Sequence, residues 1–419
     1  MGKKLFEKFR FLLPDIELRR WLIILILSSA LITVEIVFLG LQKLSLFFFL
    51  LFFTPACGLL GYSYYRVIRY IFELLRGFDS KEAAKFFPPR HFEIAPKIVV
   101  IGGGTGLSTL LRGIKRYSRF YDERNVTAVV TVMDDGGSSG RIRAELHILP
   151  PGDIRNCLVS LANEETLMAE LFKYRFEGSG ELSGHSFGNL FIAALTNVTG
   201  DFERAVEESS KILAIKGTIL PAMSSSHTLM AELKNGSIAA GESEIGITQG
   251  KEIKRVFLDP PGTAVNHKVI QAISEADCII FGPGSLFTSV IPNLLIPEIR
   301  AVLSESAALK IYICNIMTQP HETSGFTASD HIRTILEYLP KVKLDYCIIN
   351  SQRGSEESLT RYALKESYPV VVDRDQLARL DTDIVLDELM EESDYLRHNF
   401  KKLARLIINL VVNRIYEGK

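Results

Sequence analysis

The chain has 419 residues, 48 Lys and Arg against 49 Asp and Glu, a formal net charge of −1 and a mean hydropathy of +0.16. Such a length calls for two units, or one large unit with an appendage, and the balanced charge excludes a global field that would draw nucleic acid. Five cysteines (Cys57, Cys157, Cys278, Cys314 and Cys347) lie far apart without a C-x-x-C pair, which excludes a disulfide scaffold, argues against a zinc site and reads as buried free thiols.

Hydropathy is concentrated near the N-terminus. Residues 1–20 form a basic segment, followed by an expected transmembrane helical hairpin over 21–65 with spans at 21–40 (WLIILILSSALITVEIVFLG) and 44–65 (LSLFFFLLFFTPACGLLGYSYY). Each span is long enough to cross about 30 Å of hydrocarbon. Lys3, Lys4, Lys8, Arg10, Arg19 and Arg20 precede the first span and Arg66, Arg69 and Arg76 follow the second, whereas only Lys43 lies between them. This bias places both termini and the large domain in the cytoplasm of a two-pass protein of the bacterial inner membrane. Glu35 is expected to snorkel or to sit in a wet helix contact, and Pro55 to kink the second span. Residues 66–96 read as a juxtamembrane linker: an amphipathic helix in VIRYIFELLRGF, then a connector that Pro88, Pro89 and Pro96 keep extended.

From 97 to 419 strand and helix patterns alternate. KIVVI and VTAVVTV are short unbroken apolar strands of the buried parallel kind, with the helical string LSTLLRGIKRY between them. Helices follow in DIRNCLVSLAN, NLFIAALTNV and FERAVEESSKILAI. Short β segments with turn signals between about Gly217 and Leu258 predict antiparallel hairpins. Then come AVNHKVIQAISEA, DCIIF, KIYICNI, SDHIRTILEYL, DYCIIN and YPVVV, and a closing helix over the last 25 residues that carries Leu396, Phe400, Leu403 and Ile407. The pattern is α/β: a doubly wound, Rossmann-like, mostly parallel sheet with a small antiparallel β insertion.

Polar loops sit at the strand exits, the ligand edge of such a sheet. IGGGTGLS (Ile101 to Ser108) joins a strand to a helix start through Gly102, Gly103, Gly104 and Gly106, offering bare backbone N–H groups to a phosphate, with Thr105 and Ser108 as hydroxyl donors. It is neither G-x-G-x-x-G nor Walker A. In TVMDDGGSSGRIR, Asp134 and Asp135 could hold Mg²⁺, bind a ribose or base edge, or act as a base, ahead of a loop with Ser138, Ser139 and Arg141. PPGDIRNCL sets Asp153 at an expected N-cap. GHSFGNL offers His185, Ser186 and Asn189, with His185 as base, phosphate contact or structural residue. FGPGSLF repeats the glycine logic with Gly282, Gly284 and Ser285. CNIMTQPHETSGFTASDH adds Asn315, Thr318, Gln319, Glu322, Thr323, Asp330 and His331.

In order and wording these loops resemble the YvcK-type gluconeogenesis factors, a branch of the CofD-like superfamily. GGGTGLSTLLRGIK, DDGGSSGRIR, PPGDIRNCL, GHSFGNL, GPGSLFTSVIPNL and NIMTQPHETSGFTASDH carry the resemblance over about residues 97–350, and the hairpin lies outside it. It implies a CofD-like fold that binds a nucleotide sugar such as UDP-GlcNAc, with a regulatory role in cell shape and cell-wall (peptidoglycan) metabolism. It also implies that Gly103, Gly104, Thr105, Gly106, Asp134, Asp135, Ser138, Asn189, Gly282, Gly284 and Ser285 line the ligand. His321 stands where these proteins usually carry glycine, and Met133 where a small residue is usual. The alternative implied is a transferase of a phosphorylated group from a nucleotide diphosphate donor, with Asp134, Asp135 and His185 as catalytic candidates and Mg²⁺ at the two acids. The regulator is the favoured reading. The expected partners are the nucleotide sugar and the lipid bilayer, not nucleic acid; a homo-oligomer and cell-wall enzymes stay open.

Overall fold

The computed structural model describes residues 16–40, 46–76, 96–116, 125–162, 166–247, 252–262, 265–393 and 395–417, in two compact units divided after Phe92. The N-terminal tail, the reversal between the two spans and the proline connector lie outside the described residues.

The first unit is a pair of helices, α1 (Ile16–Gly40) and α2 (Leu46–Arg76). The expected juxtamembrane helix is not separate, because α2 runs on through it to Arg76. Buried Ser28 and Glu35 on α1, and Ala56 and Ser63 on α2, recur at seven-residue intervals, so small and polar groups form the seam. Glu35 lies in that seam and its Oε2 has no hydrogen-bond partner. The Ser28 and Ser63 hydroxyls donate back to the Ile24 and Leu59 carbonyls at 2.7 and 2.8 Å. Trp21 meets Tyr62 edge-on at 5.3 Å, with the Arg66 guanidinium 4.8 Å over the indole. Ile26, Leu27, Leu31 and Phe52 are exposed. Among the described residues no single helix is long and apolar enough to cross a membrane by itself; the apolar stretch of α1 is Ile23–Leu39.

The second unit begins with β1 (Ile98–Gly102), whose five residues are all buried. Next come α3 (Gly104–Lys115), which turns Leu107, Leu110, Leu111 and Ile114 inward, and β2 (Val126–Val130). Four helices follow: α4 (Gly137–Leu146), α5 (Gly152–Leu161), α6 (Leu167–Lys173) and α7 (Phe187–Thr199). Gly200 ends α7 in the left-handed region, and Asp201 caps α8 (Phe202–Ile212) by accepting the Arg204 N–H at 2.7 Å. β3 (Thr218–Pro221) leads to β4 (Thr228–Leu233), β5 (Ile238–Ala240), the one-turn α9 (Glu242–Ile245) and β6 (Ile253–Asp259). After α10 (His267–Ser274) and β7 (Cys278–Phe281), a π-helical turn at Leu286–Val290 runs into α11 (Ile291–Leu294) and α12 (Pro297–Glu305). β8 (Leu309–Ile313), α13 (Ala328–Tyr338), β9 (Tyr346–Asn350), α14 (Glu356–Ala363), α15 (Arg374–Leu377) and β10 (Asp383–Asp387) complete the alternation. A hairpin of β11 (Met390–Glu392) and β12 (Leu396–His398) precedes the closing helix α16 (Phe400–Glu417).

Seven strands form one sheet in the order β10-β9-β8-β7-β1-β2-β3, every pair parallel. The chain builds outward from β1 through β2 to β3, returns to β7 on the other side of β1 and builds outward again. The topological switch point therefore lies between β1 and β7, where strand ends splay and leave a crevice. The second sheet is antiparallel, in the order β5-β4-β6.

Three expectations need correction. The segment from Gly217 is not wholly a hairpin insertion, because β3 pairs with β2 as the edge of the parallel sheet. YPVVV is not a strand: Pro369 and Val371 make only single bridges, to Met317 and Thr327, and β10 fills the edge position. The closing helix starts at Phe400, and Leu396 belongs to β12.

Candidate functional site

The two glycine loops meet at the switch point. β1 runs out at Gly102 and α3 opens at Gly104, whose φ of +64° suits a residue without Cβ. A Cβ on Gly106 would stand 2.4 Å from the Pro283 carbonyl oxygen and 2.9 Å from the Gly284 nitrogen, so the loops after β1 and β7 pack backbone on backbone. Ser285 caps the π-helical turn, accepting the Thr288 N–H at 3.1 Å and its hydroxyl at 2.7 Å, and donates to Glu322. The Ser108 hydroxyl, expected to face a ligand, donates instead to the Thr105 carbonyl at 3.0 Å.

A cavity of about 380 Å³ opens over this junction. Its floor is Gly103, Gly104, Thr105, Gly106, Gly284 and Ser285; its walls include Glu242, Asn315, Gln319, Glu322, Tyr362, Arg397 and His398. Gly282, with φ of +78°, sits behind the floor at the end of β7. Three acids carry raised pKa values. Burial, then Asp153 and Asp134, push Glu242 up to about 8. Burial raises Glu322 to about 7 in spite of its bond from Ser285. Burial raises Asp153 to about 6, partly offset by the Gly104 N–H, while Asp134 adds to the rise. Near neutral pH the Glu242 carboxyl is therefore protonated, and can donate to an anion instead of repelling it. Arg397 is the sole arginine or lysine of the lining; its guanidinium lies 4.8 Å over the Tyr395 ring and is otherwise exposed. His398 is buried, which drives its pKa down to about 4.

The sequence-predicted residues divide. The glycines, Thr105 and Ser285 converge as expected. Asp134, Asp135, Ser138, His185 and Asn189 do not line the cavity. Asp134 Oδ1 accepts the Gly136 N–H at 3.0 Å, and its Oδ2 would lie 2.5 Å from a Cβ on Gly152. Asp135 Oδ1 accepts both the N–H and the hydroxyl of Ser243, at 2.8 and 2.7 Å. This grip anchors the turn that sets Glu242 in the cavity wall. Ser138, His185 and Asn189 form a separate buried network. Asp153 is not an N-cap; Pro151 holds that position, and Asp153, in the first turn of α5, lies against Gly103. Thr327 and Asp330 form the capping box of α13, tied by Asp373, and His331 Nδ1 bonds the Thr327 carbonyl, so this end of the last motif is structural. His321 has φ of +68°, the region that glycine enters without cost.

Glu242, Tyr362, Arg397 and His398 were not foreseen. Glu242 follows a hairpin and Arg397 lies on a short strand read as helix. Only the acid and base in GESE and YLRH, each beside a glycine or aromatic residue, hint at either.

Comparisons with known proteins give the family of this fold. The profile of the family described as 2-phospho-L-lactate transferase CofD matches residues 98–390. The gluconeogenesis factor of Halalkalibacterium halodurans is 47% identical over 312 residues, 74% of this chain and 95% of that protein. That of Bacillus subtilis is 45% identical over 317 residues, 75% of this chain and 98% of that protein. A crystal structure of a UPF0052 family member from Bacillus halodurans superposes with a TM-score of 0.71 at 46% identity, covering 75% of this chain and 99% of its own. From the first glycine loop onward, the chain belongs to the CofD family, among the gluconeogenesis factors.

Proposed function

We propose that this protein is a nucleotide-sugar-binding regulator of the UDP-GlcNAc class, acting in cell-shape and cell-wall metabolism, and that its helical hairpin seats it in the inner membrane with both termini cytoplasmic. The observation that carries the binding reading is the double backbone cradle, in which the loops after β1 and β7 touch at Gly106 and Pro283. A diphosphate laid across them meets N–H groups and the start of α3. Arg397 supplies the one full positive charge, and the amide groups of Asn315 and Gln319 suit a base or sugar edge. The cavity volume falls within the usual range of small-molecule sites, about 300–1,000 Å³. The membrane reading rests on the apolar outward faces of α1 and α2 and on the flanking arginines and lysines.

The transferase reading is favoured by the family's description and by the acids around Asp153. Asp135 Oδ1 is already engaged by the N–H and hydroxyl of Ser243 and Asp134 Oδ1 by the Gly136 N–H, so both acids have a structural role that needs no Mg²⁺, and the regulator is preferred. One experiment separates the two. The protein is incubated with UDP-GlcNAc and Mg²⁺, and the bound ligand is chromatographed. Intact UDP-GlcNAc is expected, and Gly104→Val, which puts a branched side chain at a left-handed position on the floor, is expected to abolish binding. Steady release of UMP would make the protein a transferase, and undiminished affinity in Gly104→Val would reduce the cradle to a packing turn.

A further inference from the structure

The motifs that the nucleotide cavity leaves unused gather at one place. Ser138, Ser139, His185 and Asn189 are all buried. The Ser138 Oγ accepts from Asn189 Nδ2 at 3.1 Å and from the Ser186 N–H at 3.4 Å, and lies 3.1 Å from His185 Nδ1. With two donors aimed at it, the hydroxyl directs its own proton to Nδ1, which leaves the imidazole proton on Nε2. Burial, then Arg141, hold His185 below its ordinary pKa, so the ring is neutral. Asn189 Nδ2 also reaches Ser139 Oγ at 3.3 Å, while Asn189 Oδ1 is fully buried and has no partner.

Three arginines close on the same loop. Arg141 Nη2 donates to the Ser183 carbonyl at 2.7 Å, and Arg175 donates to the adjacent Gly184 carbonyl, so two guanidinium groups flank His185. Arg155 packs its stem where a Cβ on Gly188 would be 2.9 Å away and donates to Asn156 Oδ1. Among the described residues none of the three has a carboxylate within ion-pair distance. Burial, and then the charge of Arg175, lower the pKa of Arg155, while Asp134 and Asp153, beyond ion-pair distance, offset part of that shift. The helices α4, α5 and α7 also begin here, adding the positive ends of three dipoles. Asp153 Oδ2 would lie 2.6 Å from a Cβ on Gly103, at the floor of the nucleotide cavity, and Asp134 Oδ2 2.5 Å from one on Gly152, beside Ser139, so these two acids stand at the border of the lobe and that cavity.

We propose that the lobe formed by Ser138, His185 and Asn189, rimmed by Arg141, Arg155 and Arg175, is a second ligand site, specific for a small phosphoryl anion and distinct from the nucleotide cavity. Guanidinium forks match phosphoryl oxygens two at a time. A protonated phosphoryl oxygen supplies the donor that Asn189 Oδ1 lacks. The assignment depends on the proposed function only in giving the nucleotide to the other cavity.

Inorganic phosphate is the probe, and full-length protein in detergent is titrated by calorimetry after saturation with UDP-GlcNAc. One further phosphate is expected to bind per chain. Arg175→Met or Arg155→Met is expected to weaken it about tenfold, the scale of one charge-assisted hydrogen bond, with UDP-GlcNAc affinity unchanged. Arg175 is exposed, so that variant should fold normally. The proposal fails if both variants bind phosphate as the parent does, or if UDP-GlcNAc displaces phosphate mole for mole. Should the protein bind no UDP-GlcNAc at all, the same titration of the free protein and its variants still decides the second site, while the nucleotide reading falls alone.

Discussion

At Glu242 the direction of pH dependence can be worked out. Its folded pKa of about 8 stands above the ordinary 4.5, through burial first and the nearby acids second. Between those values the folded state keeps a proton that the unfolded state releases, so this group lowers stability progressively as pH rises from about 4.5 to 8. Glu242→Gln is therefore expected to resist urea more than the parent at about pH 8.5 and equally at about pH 4. Binding of a diphosphate should weaken in the parent as pH rises through about 8, where folded Glu242 loses its proton, and much less in Glu242→Gln; equal pH profiles would show that Glu242 does not face the ligand. Glu322 and Asp153 titrate in the same direction at about 7 and 6. Little of this was legible in the sequence. A glycine loop declares itself because its chemistry is backbone and local. An acid becomes special only through what the fold packs around it, and Glu242 meets Asp153 and Asp134 across a hundred residues of chain.

The one-turn helix α9 shows the same limit one scale up. It is held from outside the antiparallel insertion by Asp135, and Gly241 lies so close that a Cβ there would fall 1.9 Å from Asp135 Oδ2. Asp135→Ala removes two hydrogen bonds to a charged group, each contributing about 1.5–3 kcal/mol. It should release the turn, raise amide exchange over residues 241–247 and weaken UDP-GlcNAc binding, whereas Asp135→Asn should retain part of each. Unchanged exchange at 241–247 in the alanine variant would dismiss the clamp. Buried parallel strands such as β1, β2, β7 and β8 were readable as unbroken apolar runs. The edge strand β10 and the hairpin β11–β12 were not: β10 has only three apolar residues between two aspartates, and β11 and β12 are three residues each, MEE and LRH. The apolar run YPVVV misled for the opposite reason: its β-branched composition suits a strand, yet only Val370 is buried while Tyr368 and Val371 are exposed.

For the molecule as a whole, the hairpin makes a prediction independent of the site. On the proposed topology, a reporter fused after Lys419 should be active only inside the cell; activity only in the periplasm would overturn that topology. The domain that follows is built around a crevice where both directions of sheet growth begin; its doubly wound class was legible from the alternation of strands and helices, whereas the strand order was not.

That crevice draws its lining from Gly103, near the start of the α/β unit, and from Arg397, near its end. A ligand touching both works as a clasp on the sequence, joining segments almost three hundred residues apart without a covalent bond. Its grip should appear as resistance to unfolding from either end: at a ligand concentration a hundredfold above Kd the gain is about 2.7 kcal/mol, and thermal denaturation with and without UDP-GlcNAc measures it. A chain still on the ribosome has its glycine cradle early but acquires Arg397 only as the last turns emerge. On the proposed function, affinity for the nucleotide sugar would mark a finished molecule, and one clipped before β12 should lose its ligand together with the buried face of α16.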